Sequence, residues 1–321
     1  MHPALSIVAF TTLSGIGYGL LAWVGVLAPI GMLPRGRAFA AASLGLALAL
    51  ITAGLMASTL HLGHPERAWR AFSQWRSSWL SREGVAAVAT YVPAVLFAAL
   101  WLTEATGRLW SACGLLAAAG SIATVFSTAM IYRSLKPIRQ WHNAWVVPNY
   151  LLLAAMTGVL WLAAVAAMLD GFHPALAPLA AGIVLAAAGA KLGYWRSIDA
   201  DRSGPTLAAA TGLPAGRPLR PLDLPHTEEN YLLKEMGYRV ARRHAVKLRR
   251  MVVILGFAVP LVAIVLALLL HGALSGAAAA LVGALAATAG VLIERWLFFA
   301  EATHTVALYY RGEPGADAAR Q

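Results

Sequence analysis

Cysteine is nearly missing from this 321-residue chain, which has one, Cys113. A single thiol cannot hold an iron–sulfur cluster on this chain alone, close an intrachain disulfide or supply a CxxCH haem attachment. Cys113 reads as an ordinary helix residue. Charge is scarce too. Only 12% of the residues are charged, about half the share of a soluble domain. Acidic residues are the rarer sign, with 14 Asp and Glu against 25 Lys and Arg. No signal peptide is expected either. The first apolar segment lacks a basic n-region and is too long for a signal h-region, so it reads as a mature helix.

What is plentiful is apolar. Hydrophobic residues make up 60% of the chain and the mean hydropathy is +0.68. Apolar runs near the length that crosses a bilayer recur, which predicts an all-α, polytopic membrane protein forming a single integral domain in the lipid bilayer. Eight transmembrane helices are expected, at about 4–29, 39–61, 82–103, 110–132, 147–168, 174–195, 251–271 and 276–299. The long polar interval 196–250 starts Pro-rich and irregular. It ends in a basic amphipathic helix, with Thr227 as N-cap, Glu228 and Glu229 in the first turn and basic residues at the far end.

An even span count puts both termini on one side. That side carries 20 of the Lys and Arg residues, against three (Arg35, Arg37 and Arg108) on the other. Both the N and C termini are therefore expected in the cytoplasm. The formal net charge of +11 reflects these basic connections rather than a nucleic-acid partner. The helix at 227–250 reads either as a polybasic segment touching anionic lipid or as a docking surface, with Tyr231, Leu232, Met236 and Val240 as its apolar stripe. Docking is the preferred reading.

The chemistry concentrates at 58–84, STLHLGHPERAWRAFSQWRSSWLSREG. This stretch holds two histidines, four arginines, two glutamates and three tryptophans. His61 closes the second span, His64 follows it, and Glu83 opens the third. A histidine and a carboxylate at a membrane interface can hydrogen-bond a quinone carbonyl and exchange protons with water. His61, Glu83, His64, Arg67 and Trp69 are the candidate quinone-binding or proton-transfer residues. Trp69, Trp75 and Trp79 are candidates for the wall of an apolar slot. The plainer reading is a set of interfacial anchors and an aromatic belt. At the end of the last span, Arg295, Glu301 and His304 form a second candidate group, with Glu301 and His304 one helical turn apart. Arg295 either pairs with another helix or snorkels. His61 and His304 are on one side and on different helices, the minimum for a haem b. Ligands at matching depth are not evident, so haem b is disfavoured.

The pattern HLG-x-P-x-RA from His61 to Ala68, followed by Ser81-x-Glu83, resembles the membrane anchor subunits of DMSO-reductase-type molybdenum complexes, the DmsC family. The span count agrees, as does Arg295 ahead of Phe298 and Phe299. The resemblance implies an anchor that binds quinone, either ubiquinone or menaquinone. It also implies a four-cluster iron–sulfur subunit and a molybdopterin catalytic subunit as partners, so that iron–sulfur clusters and molybdopterin sit on those partners only. His61 matches the family's HLG histidine and Glu83 its following glutamate. Only these two carry the quinone role over.

Family members that reduce DMSO hold their catalytic subunits outside, at the HLG end. Here that end is the basic one. This resembles the branch of the family that serves cytoplasm-facing sulfite oxidation in the bacterial cytoplasmic (inner) membrane, passing electrons to the quinone pool. Such a chain would be catalytically incomplete alone. The alternatives are a quinol-oxidising anchor of a DMSO-, polysulfide- or tetrathionate-type reductase, a haem b cytochrome subunit, or a secondary transporter. The last is disfavoured because transporters place their ionisable sites at mid-membrane.

Overall fold

A computed structural model describes residues 5–59, 64–169, 175–201, 211–212, 244–270 and 273–305. The described residues are all-helical apart from one isolated bridge between Ile138 and His304. Eight helices are long and apolar enough to cross a membrane. They are α1 (Leu5–Leu27), α2 (Arg37–Thr59), α3 (Trp79–Leu102), α4 (Arg108–Arg133), α5 (Val146–Leu169), α6 (Leu176–Ala200), α7 (Ala245–Leu269) and α8 (Ala273–Ala300). Each has over 20 residues, which at 1.5 Å per residue covers the roughly 30 Å hydrocarbon layer. Nearly every interior backbone group is thereby satisfied within its own helix, an exception being the turn before Pro93 inside α3, where the proline has no N–H to give.

The expected spans agree with these helices to within a few residues, with larger differences at α6 and α7. α6 runs on to Ala200 and α7 starts at Ala245, because polar turns continue both helices past their apolar stretches. The expected helix over 227–250 is described only in its last turn, which leads directly into α7. Its earlier part lies outside the described residues. α7 is not a uniform helix. Val252–Ala258 winds as a π-helical stretch between two α-helical segments.

α1 and α5 form the centre. Of their apolar windows 67% and 72% are buried, against 28% for α3 at the periphery. Lipid tails are as apolar as leucine, so close backbone packing rather than hydrophobic burial must draw these helices together. Gly19 and Gly158 supply it at the α1–α5 crossing. A Cβ on Gly158 would fall 2.2 Å from the Gly19 carbonyl carbon, so only glycine fits. Trp23 adds a 2.8 Å hydrogen bond from Nε1 to the Ala155 carbonyl. A similar glycine contact joins α7 to α8, where a Cβ on Gly290 would lie 2.4 Å from the Gly256 Cα.

Gly158→Leu is expected to lower stability by about 3 kcal/mol, the upper end for an overpacked core. Gly182→Leu, with nothing within 4 Å of its Cβ position, should be neutral. Thermal unfolding of the two variants in detergent checks the pair.

The α2–α3 and α4–α5 connections, the ends of α6 and α8 and the start of α7 all gather at one face. Arg139 pairs with Asp201, Arg249 with Asp199, and the Trp141 indole nitrogen donates to the Phe298 carbonyl at 2.9 Å. The opposite face is fastened by Arg37 and Glu104, 2.9 Å apart, and by Trp101 bonded to the Arg35 carbonyl.

Candidate functional site

After α2 the chain forms a short 3-10 helix, Pro65–Gln74, with proline at its start and a strongly amphipathic sequence. Arg82 ties this segment to the head of α3. Its guanidinium donates to the Trp75 carbonyl at 3.0 Å and the Arg76 carbonyl at 2.7 Å, and lies 4.2 Å over the Trp79 ring. Trp79 in turn meets Phe126 of α4 edge to face. The Phe72 ring rests on α3 at Gly84, where a Cβ would come within 3.1 Å of it. The segment therefore lies over the α3 residues that surround Glu83.

The structure separates the residues proposed from sequence into two groups. His64, Arg67 and Trp69 are exposed, as is nearly all of the segment. The His64 Nδ1 and Glu66 Oε1 are 3.0 Å apart, and the Arg67 Nε is 3.7 Å from the same oxygen. Trp69 is 66% exposed and Trp75 51%, so of the three tryptophans only Trp79 packs into the bundle. This arrangement does not make the Trp69–Trp75–Trp79 wall expected from sequence. His61 lies outside the described residues.

Glu83, by contrast, is 5% exposed, in the second turn of α3. A carboxylate at that depth requires a donor, and Thr128 of α4 provides it. The Thr128 hydroxyl donates to Glu83 Oε1 and also contacts the Thr124 carbonyl at 3.1 Å. Tyr18 of α1, Tyr132 of α4 and Tyr150 of α5 are near enough to interact electrostatically with Glu83.

Thr128 also faces a small cavity between α1, α4, α5 and α8. Its polar lining includes Thr11, Ser14, Tyr150, Thr157 and Arg295, and its volume is ≈ 20 Å³. That is enough for a single water and far too little for a quinone ring. The buried Thr12 and Tyr150 hydroxyls, both part of the lining, have no well-aligned partner among the described residues.

Beyond the cavity is a cluster of buried ions. Lys191 Nζ of α6 and Glu294 Oε1 of α8 are 2.5 Å apart, with both side chains 1% exposed. The Arg295 Nε lies 3.2 Å from the second Glu294 oxygen, without hydrogen-bond alignment because the two residues are neighbours in the chain. Its guanidinium sits 3.7 Å over the Tyr150 ring, and Lys191 sits 4.1 Å over Tyr194. Arg295 thus does not snorkel. It points inward and is 2% exposed.

At the face, Arg249 bonds Asp199 through both terminal nitrogens, at 2.6 and 3.0 Å, and Glu301 through Nε at 2.8 Å. Burial pushes the Glu301 carboxyl above the ordinary carboxylate range, with Arg249 pulling the other way. Glu301 and His304 do not share a helix face. α8 ends at Ala300, and His304 instead bridges to Ile138 in the α4–α5 connection, beside a bond from Thr305 N to the Pro137 carbonyl at 3.0 Å.

Sequence reasoning missed Thr128, Tyr150 and Lys191 as site components. A lysine inside the expected span 174–195, though near its end, was the one available signal, because an unpaired ammonium does not persist there. Among the described residues no group of three His, Cys, Asp or Glu side chains is placed to hold a metal ion.

Eight spanning-length helices, with buried carboxylates and bases gathered toward one face, define a multi-pass membrane protein. The chain belongs to the DmsC family, the DMSO reductase anchor subunits, whose sequence pattern matches residues 1–300. It is also 33% identical over 333 residues to a sulfite dehydrogenase subunit from Allochromatium vinosum, an alignment covering 97% of this chain and 99% of that one. Its role is that of a membrane anchor, as the HLG and Ser-x-Glu motifs imply.

Proposed function

We propose that this chain anchors a sulfite-oxidising molybdenum complex in the bacterial cytoplasmic membrane and reduces quinone at the end of α3. Sulfite and water give sulfate, two electrons and two protons on a molybdopterin subunit. The electrons travel to this chain through a four-cluster iron–sulfur subunit. Quinone, ubiquinone or menaquinone, takes up two electrons and two protons and leaves as quinol. The partners dock on the basic face, which the charge bias assigns to the cytoplasm. The sulfite assignment is supported by the relative from Allochromatium vinosum, which is a sulfite dehydrogenase component matched along nearly its whole length.

The observation that supports a proton-handling site best is Glu83. It is a buried carboxyl held by Thr128, close to one membrane face and beneath an aromatic segment. A carboxyl in that position can pass a proton to a reduced quinone oxygen and regain one from water. In this reading His61 donates the hydrogen bond to the quinone carbonyl.

The test is sulfite-dependent reduction of a water-soluble quinone analogue by the purified complex, parental against His61→Ala, with sulfite-to-dye electron transfer as the control. Quinone reduction should be lost in the variant while dye reduction stays. Normal quinone reduction in His61→Ala would remove the site. No sulfite activity in the parental complex would remove the substrate.

A further inference from the structure

Four charged side chains are buried among the described residues: Glu83, Lys191, Glu294 and Arg295. As a set they are neutral, two acids and two bases. Lys191 and Glu294 take each other as direct partners at 2.5 Å. Arg295 approaches the second Glu294 oxygen without alignment and lies 3.7 Å over the Tyr150 ring. Glu83 has only the Thr128 hydroxyl.

A buried guanidinium and a buried carboxylate are both costly unless each is compensated. The two remaining groups flank the same cavity. Arg295 lines it directly, and Glu83 reaches it through Thr128, which also lines it. The cavity has the volume of one water and several hydroxyls to hold it, two of them without an aligned partner.

We propose that Arg295 is the positioning residue for Glu83, acting across a single water held between Thr128 and Tyr150, so that its positive charge governs when Glu83 holds its proton. This rests on the quinone-site reading of Glu83. Facing Glu83 are Tyr18 from α1, Thr128 and Tyr132 from α4, Tyr150 from α5 and, across the cavity, Arg295 from α8. Of these Arg295 alone carries a full charge at neutral pH. In the reduction step the Glu83 carboxyl gives its proton to the reduced quinone oxygen and becomes a carboxylate. Arg295 stabilises that carboxylate until a proton returns from the aqueous face. Glu294 is not free to take this part because Lys191 occupies it.

The experiment uses the purified complex carrying Arg295→Met, Arg295→Lys or Glu83→Gln. The first readout is sulfite-dependent reduction of a quinone analogue against pH, normalised at each pH to sulfite-to-dye transfer. Glu83 must be protonated to donate, so the rate falls as pH rises. Without the Arg295 charge the proton is held to higher pH. The half-point of that fall should move up by about one to one and a half units in Arg295→Met, the size expected for one charge removed at about 8–12 Å, a hydroxyl and a water in series, at an effective dielectric constant of about 20. Arg295→Lys should stay close to parental.

The second readout is the infrared band of the protonated carboxyl that disappears in Glu83→Gln. It should titrate at higher pH in Arg295→Met, and it needs no quinone. A band and half-point unmoved in Arg295→Met would overturn the coupling. A shifted band in a complex that reduces no quinone would uphold the coupling and overturn the quinone reading alone. If Arg295→Met fails to assemble, Arg295→Gln is measured by the same band.

Discussion

Glu83→Gln should cut quinone-analogue reduction by about 100-fold while leaving sulfite-to-dye transfer and assembly of the complex intact. The substitution is nearly isosteric, and its amide oxygen can still accept the Thr128 hydrogen bond that the carboxylate accepts. What it removes is the exchangeable proton. Positioned acid–base groups contribute about 10²- to 10⁴-fold to the steps they serve, and the low end applies if water partly substitutes. Thr128→Ala serves as a companion. It keeps the carboxyl but strips its donor at a site 5% exposed, so it should slow the reaction less than Glu83→Gln. A Glu83→Gln complex that reduces quinone at the parental rate would place proton uptake elsewhere.

The second large effect is expected at Lys191. Lys191→Met removes the cation that holds Glu294 at 2.5 Å in a setting 1% exposed. Removing one member of a buried pair typically costs about 3–5 kcal/mol, and the low end applies here because Arg295 remains 3.2 Å from the second Glu294 oxygen. The thermal midpoint of the variant in detergent should drop, and with it the yield of assembled complex. The double variant Lys191→Met/Glu294→Gln removes both charges of the pair and should recover part of the loss, the rest being held back by Arg295, which loses the carboxylate beside it. If the single and double variants are equally destabilised, Lys191 contributes packing against Tyr194 and Trp195 rather than charge. Arg295 keeps its place in the double variant, so the pH profile of quinone reduction separates this structural pair from the positioning role of Arg295.

The residues differ in how far sequence alone can place them. Apolar runs announce spans directly, and α1 to α5 begin and end within a few residues of expectation. Polar turns hide helix ends, which is why α6 and α7 run past their apolar stretches. Glu83 is legible because it is the first acid after a long connection and sits at a span boundary. Thr128 is not, since a threonine in a helix most often bonds its own preceding turn, and nothing in the chain marks one that also meets α3. The Lys191–Glu294 contact joins residues 103 positions apart, a distance at which one sequence carries no pairing signal. Glu301 and His304 have helical spacing but no helix to use it, because α8 stops one residue before Glu301. The exposed Trp69 and Trp75 follow a rule that was available: aromatic rings beside arginines at a membrane end commonly face the interface, here with Arg70 over Trp69 and Arg76 over Trp75.

The π-helical stretch in α7 sets a rotational phase. Each residue of an ordinary helix turns the chain by about 100°, and a π turn accommodates one residue beyond the α-helical count. Val252–Ala258 lies between Arg249 and the apolar body of the helix, Val259–Leu269, where Ala263 packs on Gly283 of α8. The glycine contact fixes the azimuth of the body, and the extra residue then decides which way the basic end points. Wound as a plain α-helix, with one residue fewer, the same helix would carry Arg249 about a quarter to a third of a turn away from Asp199 and Glu301. The fork that fastens α6, α7 and the end of α8 therefore depends on a winding irregularity two turns long, and any relative that lacks the irregularity must supply its basic side chain from a neighbouring position in α7.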